Sequence, residues 1–148
     1  MIYFNKTRKI AKCYLIWVLL IGLVPCFCFA DDAMNVSPVV TQSNDGVIDV
    51  VNHIEYEGII SAIAIKVNLP DQVEFISVSS DSQPAIKPAK GDTGLLEFAW
   101  VMPPSSPFTF KYSVQSENDV TGQIDSTIIY RKDAGQLVKQ IKPIQINP

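Results

Sequence analysis

Nucleophilic and acid–base catalysis need a base held against a nucleophile, and this chain offers few candidates. It has one histidine, His53, and its three cysteines, Cys13, Cys26 and Cys28, all sit in an apolar stretch near the N-terminus. No Gly-x-Ser-x-Gly, phosphate loop or His-Glu-x-x-His pattern occurs. Glycoside hydrolysis needs two carboxyl groups converging in a cleft. Glu55 and Glu57 share a strand parity, but acids on a small domain serve solubility more often than catalysis. Calcium wants about six to eight oxygen ligands. Glu117, Asn118 and Asp119 with Asp125 make one acidic group and Asn44 with Asp45 another; neither has the spacing of a calcium loop. The expectation is a non-enzyme with no catalytic residue, no metal ligands and no cofactor, calcium at an acidic turn being the alternative.

Aromatic rings are the other recognisable chemistry, as platforms for sugars or partner side chains. Trp100 shares the parity of Leu96 and Phe98, which points it into a core, and Tyr112 and Tyr130 read the same way. The residues expected to form a binding surface are Lys87, Lys90 and Asp92 in an irregular stretch, 79–94, and Pro103 and Pro104 in a proline-rich one, 102–107. Long irregular segments within a compact domain are commonly functional.

Strands must position all of these groups. In residues 56–78, Ile59, Ile63, Ile65, Val67 and Leu69 share one parity, and Lys66 and Asn68 take the other. A period of two rich in β-branched residues predicts a strand with one face in a core. Pro70 cannot donate to a ladder and should end it. Val73, Phe75 and Ile76 then open a second strand after a very short turn, and the rest of the chain is expected to pack on these two. Upstream, the turn signal Asn44-Asp45-Gly46 precedes a strand with Ile48, Val50, Ile54 and Tyr56 inward and Asp49, His53 and Glu55 toward water. Downstream, residues 95–101, 108–114, 123–131 and 136–146 read as strands, the second with Phe108, Phe110, Tyr112 and Val114 on one face. No window after residue 30 shows a sustained helical period. The pattern predicts an all-β sandwich of about seven to nine strands. Its divisions are a lead-in or edge strand at 31–45, the sandwich at 46–142 and a tail at 143–148. Pro38 and Pro143 mark the two flanks, around Val36 to Val40 and after Gln136, as edges open to strand addition.

Residues 1–30 read as an export signal, expected to form a helix ahead of the sandwich. Lys6, Arg8, Lys9 and Lys12 precede an apolar run, and Cys28-Phe29-Ala30 places small residues for cleavage between Ala30 and Asp31. The expected location is secreted, periplasmic or cell-surface. The run is long enough that an uncleaved inner-membrane anchor at 13–30 is the alternative. Lipid attachment at Cys26 is a further one, although Pro25 departs from the usual lipobox. All fifteen acids follow residue 30, and only eight of the twelve bases do, so the remainder carries −7. Such a surface repels phosphate backbones and anionic headgroups. Nucleic-acid binding is excluded on this reading, and membrane contact is left to the N-terminal segment alone. With no cysteine beyond residue 30, stability rests on packing without disulfides.

The stretch from Tyr56 to Pro70, with Lys87-Pro88, Gly91-Asp92-Thr93-Gly94, Leu96 to Trp100, Ser106 to Tyr112 and Tyr130-Arg131, resembles secreted bacterial immunoglobulin-like modules of the cohesin type. The resemblance covers roughly residues 47–140. It implies an immunoglobulin-like, cohesin-like β-sandwich and an exported interaction module that binds a protein partner at the cell envelope or outside the cell. Carbohydrate binding, with polysaccharide held by aromatics and the 79–94 and 102–107 loops, is the alternative. The family's binding residues are not a fixed motif, so none transfers to this sequence.

Overall fold

A computed structural model describes residues 33–42, 45–80, 82–116 and 120–146, all within the compact unit Asp32–Pro148. The export signal, its cleavage point at Ala30 and Asp31, Asn44 and the Glu117–Asp119 group lie outside the described residues. Eight strands form: β1 (Met34–Gln42), β2 (Val47–Tyr56), β3 (Ile60–Asn68), β4 (Val73–Ser80), β5 (Leu95–Trp100), β6 (Phe108–Ser116), β7 (Gly122–Lys132) and β8 (Gly135–Ile146). They build two antiparallel sheets, ordered β1-β2-β6-β4 (the first sheet) and β5-β3-β7-β8 (the second). This is an immunoglobulin-like β-sandwich, and the described residues contain no helix.

Alternation makes the core. Ile48, Val50 and Ile54 on β2, Ile63, Ile65 and Val67 on β3 and the Phe108-to-Val114 series on β6 are all buried. Phe98 stands at the centre, its ring 5.8, 4.9 and 5.6 Å from those of Phe75, Phe110 and Tyr112. Trp100 packs edge-on to Phe108 and Phe110. Tyr112 on β6 buries its hydroxyl within this apolar layer without a hydrogen-bond partner among the described residues, Ser126 on β7 being the polar group on its side of the opposite sheet. Gly46 is required where β2 begins. It has φ +75° and accepts the Ser116 N–H at 3.0 Å, and a Cβ there would lie 2.5 Å from the Ser116 carbonyl oxygen.

Three expectations need correcting. Ile59 does not share the inner face of β3: it is 84 % exposed, and Ile60 is buried in its place. The ladder to β7 shifts register between Ile60 and Ala62, and such a bulge inverts parity on one side of it. β3 and β4 do not form a pair. The turn through Pro70 and Gln72 (φ 66°) carries the chain from one sheet to the other, so the two strands contribute to opposite layers. Finally, residues 143–146 are not a tail. A register shift between Ile124 and Ser126 accommodates Pro143, and β8 continues to Ile146 with Ile144 and Ile146 buried. At the other end, β1 pairs with β2 along its full length, as an edge strand of the sheet.

Candidate functional site

In a sandwich with its core filled, working surfaces are loops, edges and the two outer faces. The loop from 82 to 94 is tied to the fold. Ala99 and Ile86 exchange backbone hydrogen bonds of 3.0 and 3.2 Å, and Ala85 N–H also donates to the Ala99 carbonyl, at 2.7 Å. Farther on, Phe75 N–H donates to Asp92 O and Gly91 N–H to Phe75 O, both at 2.8 Å. The loop therefore covers the outer edges of both β5 and β4, a standard way to keep a sheet from recruiting another strand. Asp92 also accepts from Ala89 N–H at 2.8 Å, which shapes the turn. Lys87 and Lys90 are exposed on this loop. Pro103 and Pro104 are half-buried on the connection beneath β2, where Tyr56 donates its hydroxyl to the Pro104 carbonyl. The five nominated residues thus lie on two separate segments, Lys87, Lys90 and Asp92 on one and Pro103 and Pro104 on the other.

The opposite side of the sandwich is blunted differently. Glu57 N–H donates to Ala33 O at 2.9 Å, so odd-numbered residues of β1 bond to β2 and even-numbered ones turn their backbone groups outward. Pro38 falls at an outward position, where its missing N–H interrupts the free edge without breaking the sheet. On β8, Lys139 lies opposite Ile128 on the inner face, and its ammonium donates to the Met34 carbonyl at 2.7 Å. An inward-pointing lysine discourages strand addition. The two flanks read as open edges from the sequence are therefore edges, each with a blocking device.

The two outer faces differ in chemistry. On the first sheet, Asp49 accepts from Lys111 Nζ at 2.7 Å and from Ser113 Oγ at 2.5 Å. The lysine and serine hydrogen bonds hold the Asp49 carboxyl below its ordinary pKa. His53 is exposed on this face, its Nδ1 3.4 Å from Thr109 Oγ1. Ser37, Ser77 and Ser79 occupy neighbouring registers.

On the second sheet the register aligns Ala99, Ala64, Ile129 and Val138 across β5, β3, β7 and β8. Ile86, bridged to Ala99, extends the row. Beside it, Ala62 and Arg131 help line a shallow depression of ≈ 450 Å³. Sequence reading missed this row, although one signal was present: alanines at 62 and 64 fill positions that alternation assigns to water. Only the register shows that Ile129 and Val138 join them.

No described residues converge as a catalytic or metal site. Glu55, Glu57, Asp45 and Asp125 are exposed, and no three His, Cys, Asp or Glu side chains among the described residues group to hold a metal. Trp100 is 2 % exposed, with its indole N–H donating to Ser82 O at 3.0 Å. All eight aromatics beyond residue 30 are buried or half-buried, so an aromatic platform for sugar has no exposed ring to use.

No protein-family model matches the sequence, and no curated protein matches it. Solved structures do. The full-length major pilin SpaD from Corynebacterium diphtheriae superposes with a TM-score of 0.58 at 6 % identity, covering 77 % of this chain and 35 % of that one. The chain thus spans about a third of the pilin's length. The GAE domain of GGA2p from Saccharomyces cerevisiae (TM-score 0.46, 8 % identity, 77 % of this chain and 89 % of that) and the yeast GGA1 GAE domain (0.44, 10 %, 79 % and 93 %) overlap more loosely. At such identities the likeness is one of fold.

Proposed function

We propose that this chain is an exported, non-enzymatic interaction module that binds a protein partner at the cell envelope through the outer face of the β5-β3-β7-β8 sheet. The apolar row across that sheet carries the reading. Four apolar side chains in cross-strand register form a continuous row on a fold whose four edges are covered or blunted. Covering a side chain the size of Ile129 or Val138 is worth about 1.5–3 kcal/mol each, enough for a few such contacts to anchor an interface. Cleavage after Ala30 would release the module, and an uncleaved segment would tether it. The cohesin-type resemblance supports a docking role, and the pilin likeness is compatible with a surface protein.

The test is co-purification from expressing cells after mild cross-linking, with the native sequence, Ile129→Glu and the opposite-face control Val51→Glu. The expected result is a specific partner retained by the native chain and Val51→Glu and lost from Ile129→Glu. Equal retention by all three, or no specific partner for any, overturns the proposal. Intact mass of the exported protein decides cleavage.

A further inference from the structure

The apolar row is stepped. Its β5 and β3 half is small, Ala99 and Ala64, and its β7 and β8 half is large, Ile129 and Val138. Ala99 and Ala64 of the small half, together with Ile129, line the ≈ 450 Å³ depression. A stepped surface is complementary to itself under one particular rotation. A two-fold axis running along the strands between β3 and β7 sets Ala64 of one copy opposite Ile129 of the other, and Ala99 opposite Val138. Each large side chain then fills the space left by a small one at the roughly 10 Å spacing of stacked sheets.

Charge agrees with the same axis. The flanking register Glu97, Lys66, Thr127, Gln140 places Lys66 opposite Thr127 of the second copy and Glu97 opposite its Gln140. Asn68 meets Asp125, and Ala62 meets Arg131, by the pairing within β3 and β7. No like charges face each other. Lys66 and Arg131 balance Glu97 and Asp125 on this surface, whereas the chain beyond residue 30 carries eight bases against fifteen acids. A net-negative domain associates with itself most easily through its neutral face.

We infer that the outer face of the β5-β3-β7-β8 sheet pairs two copies of this chain in an isologous two-fold dimer, with Ala64 of each copy seated against Ile129 of the other. This rests on the docking face proposed above and names a second copy as its occupant. A symmetric dimer is the commonest closed assembly, and on the first sheet's outer face the pair Val39 and Val51 is followed by Lys111 and Ser79, so no apolar row crosses that sheet.

Sedimentation equilibrium on residues 31–148, whose core is complete in itself, tests it. The native domain is expected to be dimeric, and Val138→Glu, at an exposed edge position, monomeric with an unchanged circular dichroism spectrum. Ala64→Ile alone should weaken association at least about tenfold, because isoleucine then meets isoleucine. Adding Ile129→Ala should restore it by reversing the step. A native domain that stays monomeric up to about 1 mM overturns the dimer, while the co-purification test separately decides whether the face binds another protein. A dimer indifferent to Val138→Glu, or an unrescued Ala64→Ile, also overturns it.

Discussion

The two sheets share one core and present opposite outer faces. The β1-β2-β6-β4 face carries Asp49, Lys111 and Ser113 in a cross-strand network with His53 and several serines nearby. The β5-β3-β7-β8 face carries an alanine-isoleucine-valine row at the same depth of the fold. Both stand on antiparallel ladders interrupted only by local register shifts, so strand formation does not require the apolar residues there. A face that only met water would have no need of Ile129. The docking proposal rests on this difference between the faces.

The harshest way to probe the comparison is to remove what the faces share. Phe98→Ala leaves a cavity amid Phe75, Phe110 and Tyr112 and should cost about 3–5 kcal/mol in urea unfolding, with both faces lost in one transition. Two separate transitions would mean that the sheets are not one unit. Next come mirrored charges. Ile129→Glu should weaken partner binding more than about tenfold, ~1.4 kcal/mol, in a titration where Val51→Glu leaves it unchanged; equal losses would erase the distinction between the faces.

Tyr112 probes the layer between. Burial pushes its hydroxyl well above the ordinary phenol pKa, against a smaller opposing effect of Ser126. The unfolded chain ionises near pH 10 while the folded one does not, so stability should hold below that pH and fall above it. Tyr112→Phe should flatten much of that alkaline slope and, because the buried hydroxyl has no hydrogen-bond partner among the described residues, leave stability at neutral pH unchanged or slightly higher, seen in unfolding curves at several pH values. The smallest effect belongs to the polar face. Asp49 is held low by Lys111 and Ser113, so its contribution is present above the ordinary carboxylate pKa and lost as pH falls through the lowered one. With side chains 33 % and 40 % exposed, solvent screening limits Asp49→Asn to about 0.5 kcal/mol, shrinking further in salt.

Much of the architecture was legible because burial obeys a period of two: Phe108 to Val114 and Ile63 to Val67 sit where alternation puts them. Bulges were not legible. Ile59 and Ile60 exchange faces, and Pro143 is absorbed, because neighbouring strands set the local register and one strand's sequence does not contain it. The candidate surface failed to show for the same reason. Lys87, Lys90 and Asp92 stood out as loop residues, yet their loop spends its backbone covering β4 and β5. Ala64 and Ile129 lie 65 residues apart in sequence and become neighbours only through the β3–β7 ladder.

Cysteine labelling in living cells compares the faces in place. Val138→Cys and Val39→Cys sit on edge strands of opposite sheets with similar exposure, 59 % and 51 %, and no cysteine occurs beyond residue 30. Peptide-resolved maleimide labelling should find position 138 shielded in cells relative to the dilute purified domain and position 39 equally reactive in both. Equal labelling of both positions in cells would mean that the apolar face meets nothing but water, and the docking reading would be wrong.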